Sequence, residues 1–182
     1  MTTYIALLRG INVGGNHMVK MAELKAMLAE LGYAEAKTLL QSGNVVFRGE
    51  ERKREELEKL LEDATDKRFG FRPAYLVRTL GEWEKMLSGN PFTDQEKKDP
   101  SHLLVAFTKT PPDKHEVKAV QDAIQGPERI QAGSEHLYLI YPDGIGTSKV
   151  DRTPGWKKLH KDATARNWNT LQKLAMMARE LG

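Results

Sequence analysis

The stretch TYIALLRGINVGGNHMVKMAELKAMLAELGYAEAKTLLQSGNVVFR, residues 3–48, decides the fold. Three short apolar runs within it predict strands, at residues 3–9, 36–41 and 44–48. From Met21, apolar side chains recur at helix spacing as far as Gly32, a residue type that commonly ends helices. Ser42 and Gly43, between the last two runs, form a tight hairpin signal. The stretch therefore predicts a strand, a helix and a hairpin in succession.

The same alternation of elements continues as far as residue 78. An amphipathic helix ends near Gly70, and residues 72–78 then predict a strand with Pro73 at its start or at a sheet edge. The resulting order, β-α-β-β-α-β, is the split βαβ or ferredoxin-like pattern. Thr79 follows directly and is placed to cap a further helix.

The second half of the chain begins the pattern again after a polar, turn-rich stretch. It predicts a strand, a helix, two strands and a final helix, at residues 101–107, 113–125, 128–132, 135–141 and 165–181. Thr164 is the expected N-cap of that final helix. We therefore predict an α+β fold with a ferredoxin-like βαββαβ subdomain at 1–88, a linker at 89–100, and a βαββ subdomain with terminal helices at 101–182.

The composition excludes several classes of protein. With no cysteine among 182 residues, the chain has no disulfide framework, no Cys-ligated metal and no thiol chemistry. Its apolar runs fall far short of the ~20 residues that a membrane-spanning helix needs, and we expect no secretory leader. The five histidines lack ligand spacing. We expect a cytoplasmic protein without a metal or cofactor.

The positive charge is concentrated at one end of the sequence. Residues 1–148 hold 20 Lys and Arg against 22 Asp and Glu, whereas residues 149–182 hold 8 against 3, a net charge of +5. Such a segment favours phosphate-bearing or otherwise acidic partners. A solubilising surface is the alternative explanation.

The topology places two polar loops at the same end of the first sheet. In a split βαβ unit, the loop after the first strand and the hairpin after the second strand both lie beside the start of the first helix. The residues brought together in this way are Arg9, Asn12, Gly14, Gly15, Asn16, Gln41, Ser42, Gly43 and Asn44. This set holds a cation, amides, a hydroxyl and flexible backbone but no carboxylate, so it suits an anion or a polar ligand. Alternatively, the glycines satisfy turn geometry and the asparagines brace the loop.

Two cations of the basic segment are candidates to assist that site. Arg166 lies near the predicted start of the last helix, and Lys149 follows the glycine-containing segment at 143–148. A salt bridge to the other subdomain is an equally good explanation for Arg166.

Five motifs in order resemble the bacterial family known as domain of unknown function 1697: YIALLRGINVGG, MAELKAMLAELG, LLQSGNVVF, LYLIYPDGIGTSK and TARNWNTLQKL. The resemblance spans nearly the whole chain and implies an α+β fold with ferredoxin-like character. It implies no activity, so no catalytic residues follow from it. In this family the Ser-Lys pair is usually followed by a helix, but here VDRTPG at 150–155 intervenes, and Pro154 and Gly155 argue against a continuous helix.

These observations predict a protein that binds a phosphate-bearing ligand, a nucleotide or a nucleic-acid backbone, through the loop at 9–16 and the hairpin at 41–44. Two alternatives remain open. One is an enzyme that acts on a small polar substrate, with His17 as the acid or base. The other is a homo-oligomeric interaction protein without a ligand, in which exposed sheet edges pair.

Overall fold

The computed structural model describes all 182 residues of the chain, Met1 to Gly182. It divides into two compact units. The first unit comprises residues 1–85 and 173–182, and the second comprises residues 86–172. The division places the stretch at 89–100, where the sequence predicts a linker, inside the second unit.

The first unit has the ferredoxin-like element order that the sequence predicts. Its elements are β1 (Thr2–Leu8), α1 (Met21–Glu30), β2 (Lys37–Leu39), β3 (Asn44–Gly49), α2 (Arg54–Phe69) and β4 (Tyr75–Thr79). The strands form one antiparallel sheet in the order β2-β3-β1-β4. The two helices pack on one face of this sheet, where alternate residues of β1 and β3 meet the apolar stripes of α1 and α2. The fully buried members include Ala6, Leu24, Phe47, Leu57 and Leu61.

Acidic side chains accept hydrogen bonds from the backbone of the edge strand β4. Three of its alternate N–H groups donate to carboxylates: Tyr75 to Glu62 at 3.0 Å, Val77 to Glu58 at 2.9 Å and Thr79 to Glu82 at 2.8 Å. An exposed row of backbone donors would otherwise invite another strand to pair. The third contact is half of a capping box, because the Glu82 N–H donates to the Thr79 hydroxyl at 3.2 Å. Thr79 therefore caps α3 (Leu80–Ser88), as predicted.

The second unit repeats the strand order of the first. Its elements are α4 (Thr93–Lys98), β5 (Leu103–Phe107), α5 (Lys114–Ala123), β6 (Arg129–Ala132), β7 (His136–Ile140), α6 (Trp156–His160) and β8 (Thr164–Asn167). The antiparallel sheet has the order β6-β7-β5-β8, which is equivalent to β2-β3-β1-β4. The predicted α+β fold with a βαββ second half is confirmed, and the structure adds a closing strand to it.

That closing strand corrects the prediction for the end of the chain. The sequence predicts a helix from residue 165 with Thr164 as its N-cap, but Thr164 begins β8 and pairs opposite Phe107 of β5. The last helix, α7 (Trp168–Leu181), starts three residues later than predicted, and the Asn167 side chain accepts the Thr170 N–H at 3.0 Å. Pairing with a neighbouring strand outweighs the local helix signal, because propensity is weak beside tertiary hydrogen bonds.

The crossover that leads into β8 also differs from its counterpart in the first unit. Where the first unit has the long helix α2, the second has 3-10 turns at Ile145–Thr147 and Val150–Arg152, followed by the five-residue helix α6. Gly155 adopts φ +84° at the start of α6, so the segment is not a continuous helix, as Pro154 and Gly155 predict. Val150 and Trp156 anchor the crossover in the core of this unit.

Candidate functional site

The loop after β1 and the hairpin between β2 and β3 lie side by side in the first unit. The Asn12 side-chain amide donates to the Gln41 carbonyl at 2.6 Å, and the Leu8 N–H donates to the Gly43 carbonyl at 2.9 Å. Gly43 allows this approach, because a Cβ there would stand 2.8 Å from side-chain atoms of Leu8 and Ile11. The two loops are therefore held together by the Asn12 side chain, and a backbone hydrogen bond joins the hairpin to the end of β1.

The paired glycines in this loop form a small hairpin turn. Asn16 donates its N–H to the Val13 carbonyl at 3.0 Å, and Asn12 donates to the His17 carbonyl at 3.1 Å. Gly14 and Gly15, the two central residues, have φ +58° and +77°, which is the type I′ pattern of two-residue hairpins. The glycines thus serve turn geometry, and α1 starts only at residue 21, beyond the hairpin.

Two of the asparagines expected to contact a ligand, Asn12 and Asn44, hold the loops through hydrogen bonds. The Asn12 amide also donates to the Val19 carbonyl at 3.0 Å and its oxygen accepts the Val19 N–H at 2.7 Å. The amide of Asn44 is buried and donates to the Leu39 carbonyl at 2.7 Å and to the Ser42 hydroxyl at 3.0 Å. Bracing, the second interpretation of these residues, accounts for both side chains.

The solvent-facing residues of this end are mixed in character. Four of the predicted site residues that carry polar or charged side chains are exposed: Arg9, Asn16, Gln41 and Ser42. Beside them Val13, Met18 and Leu40 are 66%, 62% and 60% exposed, which is unusual for large apolar side chains. This end of the unit therefore exposes polar and apolar side chains together.

His17 has two contacts that fix the position of its ring. The imidazole stacks on Phe71 with ring centroids 4.5 Å apart, and its Nδ1 lies 3.3 Å from the Gly10 carbonyl oxygen. A general base needs a partner that orients it and a reacting group within reach. The Gly10 carbonyl supplies an orienting partner, so the role of His17 as an acid or base stays a prediction.

Two adjoining recesses open in the second unit, along the crossover between β7 and β8. The main recess has a volume of about 560 Å³ and is lined by residues 123–128, 147, 149, 150 and 152–154. The side recess has a volume of about 580 Å³ and is lined by residues 151–155, 157 and 158. Arg152, Thr153 and Pro154 belong to both, so the two recesses adjoin. Both volumes lie within the range of ligand sites, roughly 300–1,000 Å³.

Three of the cations that line these recesses have no carboxylate partner. Lys149, Arg152 and Lys157 are exposed and form no ion pair, whereas Lys158 pairs with Glu116. The hydrogen bond from Lys158 to Glu116 raises the pKa of its ammonium group. Lys149 is thus the one predicted site residue that lines either of these two recesses, and Arg152 and Lys157 join it from the same basic segment.

The main recess also contains a buried acid that the sequence does not mark. Glu128 is only 8% exposed and lines the recess without any hydrogen bond or ion pair. Its carboxylate folds over Gly126, where a Cβ would stand 2.2 Å from Oε2. Burial and the negative charge of Glu128 together raise the pKa of Tyr141 to about 12. One acid among 25 carries no signal of burial in a sequence, so only the fold reveals it.

Arg166 lies elsewhere in the second unit. It sits on β8 opposite Val105, and its Nη1 donates to the Ala165 carbonyl at 2.9 Å. Desolvation lowers the pKa of its guanidinium to about 10. Arg166 lies two residues before the start of α7 and does not line either recess, so the structure does not group it with Lys149.

The structure also bears on two other kinds of feature, metal sites and membrane-spanning helices. No group of three or more His, Asp or Glu side chains is arranged to hold a metal ion. None of the helices combines the length and apolar character that crossing a membrane requires.

Comparison with known proteins identifies relatives but no activity. The family model described as "Protein of unknown function (DUF1697)" matches residues 1–138. Among solved structures, the conserved bacterial protein SP0830 from Streptococcus pneumoniae is similar over 97% of this chain and 98% of its own, with a TM-score of 0.74 and 25% sequence identity. No curated protein matches the chain.

Proposed function

Because the chain belongs to the DUF1697 family, whose function is unknown, we infer its function from the geometry and propose that it binds a phosphate-bearing ligand, a nucleotide or a nucleic-acid backbone. One observation supports this above all: Lys149, Arg152 and Lys157 surround two adjoining recesses and have no carboxylate partner. Ammonium and guanidinium groups without partners are ready donors to phosphate oxygens.

The position of the cations favours a ligand over a merely solvated surface. Arg152 belongs to both recesses, so a phosphate beside it can also meet Lys149 on one side or Lys157 on the other. A bidentate guanidinium gives direction to such contacts, whereas each ammonium adds charge. We also propose a cytoplasmic location, where phosphorylated small molecules and nucleic acids are abundant.

Titration calorimetry at low salt tests this proposal with inorganic phosphate, a mononucleotide and short RNA and DNA. We expect Arg152→Ala to weaken binding at least tenfold, which is about 1.4 kcal/mol, and Lys149→Ala to weaken it by a similar factor. Raising the salt to ~0.3 M should weaken wild-type binding, because phosphate contacts release counterions. The matched control is Lys118→Ala, an exposed cation on α5 that pairs with Asp122 and lines neither recess.

Equal affinity in the Arg152→Ala and Lys118→Ala proteins would refute the location of the site. Arg9→Ala is a separate experiment, because it tests whether the exposed loop of the first unit is itself a ligand site. A loss of binding in Arg9→Ala alone would return the site to the loop and hairpin.

A second candidate function is an interaction protein, and the exposed apolar side chains of the first unit favour it. Val13, Met18 and Leu40 together expose apolar surface of the kind that marks protein contacts. Sheet-edge pairing through β4 is the less favoured route, because three N–H groups of β4 already have carboxylate partners. Light scattering across a range of protein concentrations tests this function: a dimer that Val13→Ser and Met18→Ser abolish would support it, and a monomer at all concentrations would exclude self-association.

A further inference from the structure

Glu128 lies at the wall of the main recess without a partner in its own neighbourhood. As a residue it is only 8% exposed, and a carboxylate in such a position is normally held by hydrogen bonds or by a paired cation. Glu128 has neither of these in the structure. What remains open to its oxygens is the main recess that it lines.

The cations of the same recess do not fill this role. Lys149 and Arg152 line the recess with Glu128, yet no ion pair joins either of them to its carboxylate within 4.0 Å. Opposite charges that share a recess but remain apart leave room for a ligand between them. That ligand has an acceptor-rich end for the cations and a donor-rich end for the carboxylate, since an ionised carboxylate only accepts hydrogen bonds.

The absence of a side chain at Gly126 leaves space for the Glu128 carboxylate. Gly126 lies beside Glu128 in the lining, and a methyl group there would overlap the position of Glu128 Oε2. Gly126 does not adopt a positive φ, so its backbone conformation alone would admit alanine. The glycine therefore provides the space that the carboxylate occupies.

We propose that the ligand of the main recess is a hydroxyl-bearing phosphate, a sugar phosphate or mononucleotide, whose sugar hydroxyls donate to Glu128 while its phosphate contacts Lys149 and Arg152. This inference rests on the proposed function and specifies its ligand class. Inorganic phosphate occupies only the cationic side of such a site. A sugar phosphate occupies both sides and satisfies the buried carboxylate.

Calorimetry with two probes, inorganic phosphate and ribose 5-phosphate, tests the inference. In the wild-type protein we expect ribose 5-phosphate to bind at least tenfold more tightly than phosphate. Glu128→Gln should reduce this ratio about tenfold, because a neutral amide accepts weaker hydrogen bonds than a carboxylate. The same variant should raise the affinity for inorganic phosphate, since it removes a negative charge from the recess. Arg152→Ala should weaken the binding of both probes.

Gly126→Ala is the second variant, because it displaces the Glu128 carboxylate without changing the charge of the protein. It should lower the preference for ribose 5-phosphate as Glu128→Gln does, and thermal unfolding shows whether each variant is folded. Binding of both probes with an unchanged ratio in Glu128→Gln would overturn the inference and leave the proposed function standing. Absence of phosphate binding in the wild-type protein, or binding that Arg152→Ala does not alter, would overturn both.

Discussion

The side-chain amide of Asn12 donates a 2.6 Å hydrogen bond to the backbone carbonyl of Gln41, a residue on the other loop at that end of the first sheet. The bond shows how a polar side chain can look like a ligand contact in a sequence and act as a brace in the fold. Asn12 also has φ +53°, a left-handed conformation that asparagine adopts more readily than most residues. Residue type, conformation and contacts agree on a structural role.

Replacing Asn12 with alanine should therefore destabilise the first unit. The variant leaves the carbonyls of Gln41 and Val19 and the Val19 N–H without their side-chain partner. We expect a loss of about 1–3 kcal/mol in the free energy of unfolding, measured with urea. Asn16→Ala, at an exposed position of the same hairpin, is the control and should cost much less. A phosphate-binding defect in Asn12→Ala without loss of stability would contradict the bracing role.

Gly43 should tolerate substitution less well than Gly15. Both residues have positive φ, so alanine carries a backbone penalty of roughly 1–2 kcal/mol at either position. At Gly43 the added methyl group also collides with Leu8 and Ile11, whereas the space around Gly15 is open. Urea unfolding should show a larger loss for Gly43→Ala by about 1–3 kcal/mol. Equal losses would mean that the two loops separate without cost.

Glu58 should act on the edge of the first sheet through its hydrogen bond to the Val77 N–H. The side chain is 4% exposed, so Glu58→Ala removes a buried acceptor and leaves a donor without its partner. We expect a loss of about 1–3 kcal/mol and faster amide exchange at Val77. Glu58→Gln retains an acceptor oxygen and should recover much of the stability. An exchange rate at Val77 that Glu58→Ala leaves unchanged would refute this role.

Tyr138 should make the protein less stable at alkaline pH. Burial raises the pKa of its phenol to about 12, and the hydroxyl donates to the Met86 carbonyl at 2.5 Å. Between the unfolded value of about 10 and the folded value, the unfolded chain loses the proton while the folded chain keeps it, so stability falls as pH rises.

The measurement is urea unfolding from pH 8 to pH 11.5. Tyr138→Phe has no phenolic proton at this position, so its stability should fall less steeply, by up to ~1.4 kcal/mol per pH unit. Parallel curves for the two proteins would show that Tyr138 ionises equally in the folded and unfolded states.

The sequence predicts local elements well where the pattern within each element decides the outcome. The βαββαβ order of the first unit follows from short apolar runs and one hairpin signal, and Thr79 caps α3 as its position indicates. The strand β8 cannot be predicted from the local pattern. Its partner β5 is some sixty residues away in the sequence, and only the completed sheet brings the two strands together. Thr164 therefore suggests a helix cap locally and begins a strand in the fold.

The sequence likewise predicts some features of the candidate site and not others. The sequence places positive charge in the last segment and includes Lys149, which lines a recess. It does not reveal Glu128, because burial of a single acid depends on how the turn after α5 folds against the crossover. The Gly14-Gly15 pair has two meanings in a sequence, a phosphate loop or a type I′ turn, and its φ values assign it to the turn.

The crossover of the second unit consists of short helical turns, so it is the part of the repeated fold that depends least on one continuous element. In the first unit, α2 cannot be exchanged without cost, because Glu58 and Glu62 hold the edge strand β4. In the second unit, β8 pairs with β5, and the crossover is held to the core by Tyr141, Val150 and Trp156. The exposed positions between these buried residues, among them Lys149 and Arg152, therefore carry charge without taking part in the packing of the unit.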